Sequence, residues 1–287
     1  MATAISVFDA ARARETVGKG RRSRWWQRKG TKPRGFYYVD ADGIKLTKPD
    51  ALERIASLVV PPAWRYVRIN PSAGGKIQAI GVDTTGRIQY IYHTGFAQKQ
   101  QRKKFAKIEQ LGEFIPRLKQ ITNEHIALDG LPREKVLAVI TRLINSLYFR
   151  VGSDLSERHY KTYGVTTLLK KHLAIGAKGK LEFNFVGKSH VQHRKVIVDT
   201  ELASVITQLM SLGRGRRLFR YRDETGKVRS VTPALINRYL KEATGSHFSA
   251  KDFRTWGGTL LAAVELAEIG PAASENEMKK NIVRAVK

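Results

Sequence analysis

Three basic side chains in this sequence stand where they could act on a phosphate. Arg150 lies in Tyr148-Phe149-Arg150-Val151-Gly152, at the end of a stretch whose apolar residues Val136, Val139, Ile140, Leu143, Ile144 and Leu147 recur every three or four positions. That spacing predicts a helix with a buried face. A guanidinium delivered to the edge of a core and followed by a glycine turn can clamp a phosphate through two parallel N–H bonds. Taken alone, the plainer reading is a cation that suits the helix dipole. Lys188, in Phe185-Val186-Gly187-Lys188, falls at the turn of a predicted hairpin. Lysines at such tips are normally solvated, and this one gains a role, donating a proton to a phosphodiester oxygen, only if the tip enters a groove. Arg254, in Lys251-Asp252-Phe253-Arg254-Thr255-Trp256-Gly257-Gly258, opens a helix beside two glycines. None of the three decides anything by itself.

The elements that must position these groups are legible in outline. From Gly35 to about residue 95 the texture is short and alternating: FYYV, a turn at Asp42-Gly43, a helix near Asp50 to Leu58, then VRIN, IQAIGV and IQYIY. The last two, joined by Thr84-Thr85-Gly86, form a strong hairpin signal. Residues 96–120 read as a basic linker helix, with five basic residues between Lys99 and Lys107. Residues 121–287 read as a helical lobe, with helices expected around Leu202 to Met210, from Pro233 to Leu240 and from Lys251 to Leu266. LEFNFVG and VQHRKVIV, around Gly187-Lys188-Ser189-His190, give it a β-hairpin insertion. The predicted class is therefore α+β: a small antiparallel β-sheet lobe over 35–95 and a mostly helical lobe. Residues 1–34 hold ten Lys/Arg against two acids and almost no apolar periodicity, and read as a flexible basic arm. Its pair Trp25 and Trp26 could stack on bases, though two tryptophans in a tail more often dock on their own protein.

Composition narrows the partner. The 287 residues carry 52 Lys+Arg and 25 Asp+Glu, a formal charge of +27. Such an excess costs self-repulsion and persists when a polyanion compensates it, which points to nucleic acid. An acidic membrane surface fits less well, because basic residues are spread through every segment rather than set opposite an apolar face. No apolar run approaches the roughly 18 residues of a membrane span, the N-terminus shows no signal-peptide core, and the expected location is the cytoplasm, with the nucleoid. There is no cysteine, so any chemistry must come from oxygen and nitrogen side chains. His190 and His193 are spaced like metal ligands but lack a carboxylate cluster to complete a site. Gly213-Arg214-Gly215-Arg216-Arg217 lacks the lysine and hydroxyl of a phosphate loop.

In order, Arg-x-Gly at a helix end, Phe-x-Gly-Lys, then Lys-Asp-x-Arg-Thr-aromatic-Gly resemble the active-site sequence of poxvirus-like (bacterial and viral) type IB DNA topoisomerases. Gly81-Val82-Asp83-Thr84-Thr85-Gly86-Arg87-Ile88-Gln89-Tyr90-Ile91-Tyr92 resembles that family's N-terminal hairpin, and Pro61-Pro62-Ala63-Trp64 the loop before it. The resemblance runs from about Gly35 to Lys287. It implies two lobes closing as a monomeric clamp around duplex DNA. It also implies a tyrosine that forms a 3′-phosphotyrosyl bond, swivelling of the free strand, and religation, with no metal, nucleotide or other cofactor. Arg150 and Arg254 would hold the charge of the pentacoordinate transition state, and Lys188 would protonate the 5′-oxygen. Arg87, Gln89, Tyr90 and Tyr92 would contact DNA, with Gln89 able to read a base edge.

The sequence departs from the family in two places. No Gly-His/Asn-Thr-Pro segment followed by a tyrosine occurs, and the last tyrosine is Tyr239. The chain as written is expected to be truncated before that segment, and to bind DNA without nicking it. Tyr160, Tyr163 and Tyr239 are remote substitutes, since in-line attack tolerates little misplacement. After Arg150, the phosphate-contacting Lys and Tyr of the family give way to Ser153, Asp154, Leu155 and Ser156. A non-catalytic DNA clamp and a tyrosine recombinase are the alternatives. The Gln-Tyr-x-Tyr hairpin counts against the recombinase, which usually carries a helical DNA-binding lobe.

Overall fold

The chain folds as two compact units that divide between residues 104 and 105. The computed structural model describes residues 7–245 and 248–286. In the first unit, α1 (Val7–Gly18) precedes β1 (Trp26–Thr31), β2 (Gly35–Val39), α2 (Pro49–Ser57), β3 (Arg65–Ile69), β4 (Ile77–Val82) and β5 (Ile88–Tyr92). The strands form one antiparallel sheet in the order β2-β1-β3-β4-β5. Successive side chains of a strand point to opposite faces. Ile80 and Val82 accordingly pack with Ala13 and Val17 of α1, while Ala79 joins Ile69, Val67 and Ile55 of α2.

The composition of residues 1–34 predicts a flexible arm, and from Val7 onward that expectation is corrected; the first six residues lie outside those described. β1 is an internal strand, paired with both β2 and β3. Trp25 packs on the α1 side and Trp26 on the α2 side, so the tryptophans do dock on their own sheet. The basic residues conceal this. Arg28 is half buried, 4.2 Å over the ring of Phe36, and donates to the carbonyls of Pro61 at 3.1 Å and Trp64 at 2.6 Å. Burial lowers its pKa, against a smaller opposing effect of Tyr38.

α3 (Thr94–Ile126) is longer than the expected linker and runs across the division between the units. It turns core-facing only from Ile108 onward, through Leu111, Leu118 and Ile126. The second unit continues with α4 (Arg133–Leu147), α5 (Asp154–Tyr160), β6 (Leu173–Ile175), β7 (Lys180–Val186), β8 (Gln192–Val198), α6 (Thr200–Ser211), β9 (Arg220–Arg222), β10 (Val228–Ser230), α7 (Pro233–Thr244), α8 (Ala250–Ile269) and α9 (Glu275–Ala285). β6, β7 and β8 form a three-stranded sheet, and β9 and β10 a hairpin. The fold is α+β. α4 is its centre: Leu137 and Ala138 are buried along with the stripe read from the sequence, so neighbours cover it on more than one side.

The β4–β5 and β9–β10 turns are built alike. In Asp83-Thr84-Thr85-Gly86-Arg87 the Asp83 Oδ1 accepts from the Thr85 amide, the Thr85 hydroxyl and the Arg87 amide, and Oδ2 accepts from Gln89 Nε2 at 2.8 Å. In Asp223-Glu224-Thr225-Gly226-Lys227 the Asp223 carboxylate takes the same three donors, and Oδ2 accepts from Arg229 Nε at 2.8 Å. Gly86 and Gly226 take the positive φ each turn needs, 81° and 77°. These bonds hold the Asp223 carboxyl down to about 2, the Arg229 bond contributing most. For Asp83 burial would raise the pKa, but the hydrogen bonds outweigh it and hold the carboxyl below its ordinary value.

Candidate phosphate site and nucleic-acid interface

α4 stops because Tyr148 adopts left-handed φ 55° and ψ 37°, turning the chain toward Arg150. The Tyr148 carbonyl accepts from Arg254 Nη1 at 2.7 Å. Its ring lies against Gly257 of α8, where a Cβ would stand 1.9 Å from ring carbon Cε1. Beyond it, the Arg150 carbonyl accepts from the Val165 amide at 2.7 Å and the Val151 carbonyl from the Thr166 amide at 2.9 Å. Only glycine at 164 lets these backbones meet, since a Cβ there would come within 2.5 Å of the Arg150 oxygen.

Arg254 is held from the other side by the first turn of α8. Asp252 Oδ2 accepts from the amide and the hydroxyl of Ser249, each at 2.8 Å, and from Lys107 Nζ at 2.7 Å, which ties the capping box to α3. Burial would raise the Asp252 pKa, but the Lys107 and Ser249 bonds outweigh it and depress the carboxyl. A depressed carboxylate adds stability above its unfolded pKa and loses it as pH falls through the folded one. Asp252→Asn is therefore expected to cost about 1–2 kcal/mol at neutral pH, roughly 2–8 °C in the melting transition. The gap from the parent should close in acid, and thermal melts across pH check this.

The result is a cavity of about 160 Å³ lined by Leu147, Tyr148, Phe149, Arg150, Tyr163, Phe185, Gly187, His193, Lys195 and Arg254, with no carboxylate among them. Arg150 is exposed and Arg254 half buried. Burial lowers the Arg254 pKa, and the Arg150 charge lowers it further; Arg254 nonetheless stays a cation at any ordinary pH. An anion is the natural counterpart of such a site. Two of the three sequence-predicted groups thus meet. Lys188 does not line the cavity: it follows Gly187 directly, exposed at the β7–β8 tip, where Ser189 and His190 take positive φ. Its ammonium has no hydrogen-bond partner among the described residues.

Sequence reading missed Tyr148 and Lys195 at this cavity and weighed His193 for its metal-ligand spacing, without placing it there. His193 and Lys195 pair with Phe185 and Phe183 across the β7–β8 ladder. Strand alternation puts both on the face of those buried phenylalanines, and that signal was available once the hairpin was recognised. Nothing marked Tyr148, whose part depends on a left-handed backbone. Among the described residues, no group of three His, Asp or Glu is placed to hold a metal ion, near His190 and His193 or elsewhere.

In the first unit the predicted DNA-contacting residues separate. Tyr90 and Tyr92 lie on one face of β5, exposed, with ring centroids 6.0 Å apart and nearly parallel, and Phe96 lies 5.6 Å from Tyr92. Lys76 Nζ sits 5.9 Å from the Phe96 ring. Gln89 falls on the opposite face, its amide pinned by Asp83, and Arg87 is exposed at the turn. Around Arg150, Ser153 caps α5 by accepting from the Ser156 amide. Asp154 and the buried Glu157 pair with Arg217, and Arg216 with Glu157. The basic loop at 213–217 is thus partly committed to internal ion pairs.

Fold and cavity together bring two arginines from distant parts of the chain to one hollow whose lining holds no carboxylate. Comparison with known proteins gives the particular family. The catalytic core of eukaryotic DNA topoisomerase I matches residues 93–287, and the N-terminal domain of bacterial DNA topoisomerase IB matches residues 35–83. The chain is 34% identical over 259 residues to DNA topoisomerase 1B of Acanthamoeba polyphaga mimivirus, covering 88% of this chain and 76% of that protein. It is 26% identical over 118 residues to DNA topoisomerase 1B of vaccinia virus (strain Copenhagen), covering 41% and 37%. Over 224 residues it is 23% identical to DNA topoisomerase 1 of Mycosarcoma maydis, covering 69% of this chain and 22% of that one. The chain belongs to the type IB DNA topoisomerases, a family of isomerases. Among the described residues no helix is long and apolar enough to cross a membrane.

Proposed function

We propose that this chain binds duplex DNA with one backbone phosphate in the Arg150–Arg254 cavity, as the DNA-handling and transition-state-stabilising part of a type IB topoisomerase. The observation that carries this is the convergence of two guanidiniums on a cavity whose lining holds no carboxylate. Arg254 spends Nη1 on the Tyr148 carbonyl, which fixes the guanidinium plane and leaves its remaining N–H groups for nonbridging phosphate oxygens. Attack at phosphorus puts extra negative charge on those oxygens, and cations fixed beforehand stabilise that charge without reorganising. Lys188 protonates the departing 5′-oxygen once the hairpin tip is seated on the duplex. Energy kept in the phosphotyrosyl ester makes religation independent of ATP. Tyr90 and Tyr92 donate to phosphates in the first unit, and the protein acts as a monomer.

None of the three tyrosines weighed as the nucleophile is set for in-line attack on a phosphate in the cavity. Tyr239 is buried, its hydroxyl 2.7 Å from His125 Nδ1, and burial pushes its pKa far up. Tyr160 is exposed on α5. Tyr163 lines the cavity but packs edge-on against His172, with ring centroids 4.4 Å apart. We infer that the polypeptide of these 287 residues binds duplex without forming a covalent adduct. Mixing it with supercoiled plasmid in EDTA and quenching with detergent should give retarded DNA and no protein-linked nick. An adduct abolished by Tyr163→Phe would overturn the inference about the nucleophile. Affinity should fall with salt along a log–log slope of about −0.9 per phosphate neutralised, and a flat response would overturn the DNA reading. A non-catalytic clamp predicts the same binding, but no relaxation even when a tyrosine-bearing C-terminal segment is supplied.

A further inference from the structure

His193 is the one histidine lining the cavity, and its setting is unusual. It lies on β8, half buried, with its ring 5.2 Å from that of Phe185 on β7. The Cδ2–Nε2 edge rests on Gly187, where a Cβ would fall 2.4 Å from Cδ2 and 2.5 Å from Nε2. Among the described residues neither ring nitrogen has a hydrogen-bond partner. The charged groups around it are Lys195 on its own strand, Arg254 from α8 and Arg150 from the loop after α4; Tyr148 and Tyr163 complete the titratable lining, and β7 contributes none. Arg194, next along β8, pairs instead with Glu182.

We propose that His193 is a further phosphate-binding residue of this cavity, and that it takes up a proton when a DNA backbone phosphate enters. The inference rests on the reading of the cavity as the phosphate site. In the free protein, burial, then Lys195, Arg254 and Arg150, all act against the imidazolium and hold the His193 pKa below its ordinary value. A phosphate among the same groups offsets part of their repulsion and, within hydrogen-bond reach of the ring, favours its charged form. The imidazole then becomes a cation that donates to a nonbridging oxygen, its second nitrogen carrying the incoming proton. Proton uptake is thus confined to the pH interval between the free and the DNA-bound pKa values. Below and above it the ring has the same charge in both states.

The sign follows from linkage. Affinity for duplex rises as pH falls through that interval, by at most tenfold per pH unit for one proton. Calorimetry of a short duplex binding to the 287-residue chain, repeated in buffers of different ionisation enthalpy near pH 6 to 7, reads the protons taken up. A positive uptake of up to one proton, removed in His193→Gln, is the expected result. Equal uptake by parent and variant overturns the proposal. As a check independent of the variant, the His193 ring resonances should titrate at higher pH with duplex than without, and an unchanged or lower midpoint also overturns it. Binding without uptake removes the histidine from the site and leaves the arginines; no binding at any pH removes both.

Discussion

Lys188→Ala is expected to slow strand cleavage about 10²- to 10⁴-fold in a cleavage-competent protein that contains this chain, while duplex affinity changes little. The 5′-oxygen is a poor leaving group unless it is protonated as the bond to phosphorus breaks. Lys188 is a strand-tip ammonium with no partner among the described residues, so nothing internal competes for its proton. Lys188→Arg separates charge from acidity. The guanidinium restores the phosphate contact, yet it holds its proton far more tightly than an ammonium and is a reluctant donor. Arg and Ala should therefore be similarly slow while Arg binds as well as the parent. If Lys188 only paired with a phosphate, both variants would cleave at the parental rate, and Ala would merely flatten the salt slope by about 0.9. Single-turnover cleavage of a saturating duplex decides between them.

Gly164→Ala should be the most damaging small substitution near the site. Gly164 has φ −145°, which any residue adopts, so the penalty is steric. Its Cβ would meet the Gly152 nitrogen at 2.4 Å and the Arg150 oxygen at 2.5 Å. These are backbone atoms that no rotamer change can withdraw, and the Val165-to-Arg150 bond holds them there. A cost near the upper end of overpacking, about 3 kcal/mol, should lower the melting transition of the second unit by roughly 6–12 °C. Because the displaced backbone carries Arg150, DNA affinity should fall too. Gly258→Ala is the control. It lies in α8 with nothing within 4 Å of its Cβ, and should stabilise by about 0.5–1 kcal/mol. Parental melting and binding by Gly164→Ala would refute the close-packing argument.

What could be read from the sequence follows the range of the forces involved. α4, α7, α8 and the β4–β5 and β7–β8 hairpins were legible because periodicity and turn chemistry are local. β1 was not. Its Trp-Gln-Arg-Lys-Gly-Thr carries few apolar atoms, and Arg28 earns its place through carbonyls and a ring supplied by distant segments. The start of α3 was read two residues late and its end six residues early, since its buried positions begin only at Ile108. At the cavity, motif order picked out Arg150 and Arg254, and the structure sets them side by side. It leaves Lys188 outside the lining residues, adds Tyr148 and Lys195, and brings His193 to the wall. Strand register governs two of these additions and a left-handed backbone the third, and neither has a one-residue signature. Gln89 and its neighbours Tyr90 and Tyr92 read as one group, yet alternation sends them to opposite faces of β5.

The aspartate-centred turns bear on how a basic protein tolerates acids close to a polyanion. Asp83 sits at the tip of the hairpin that carries Tyr90 and Tyr92, where, on the proposed DNA contact, an outward carboxylate would repel the phosphates. Folding the carboxylate inward onto the amides and hydroxyl of its own loop turns the negative charge away from solvent. Such a tip keeps its shape without a counter-ion and shows an approaching helix mainly hydroxyls and cations.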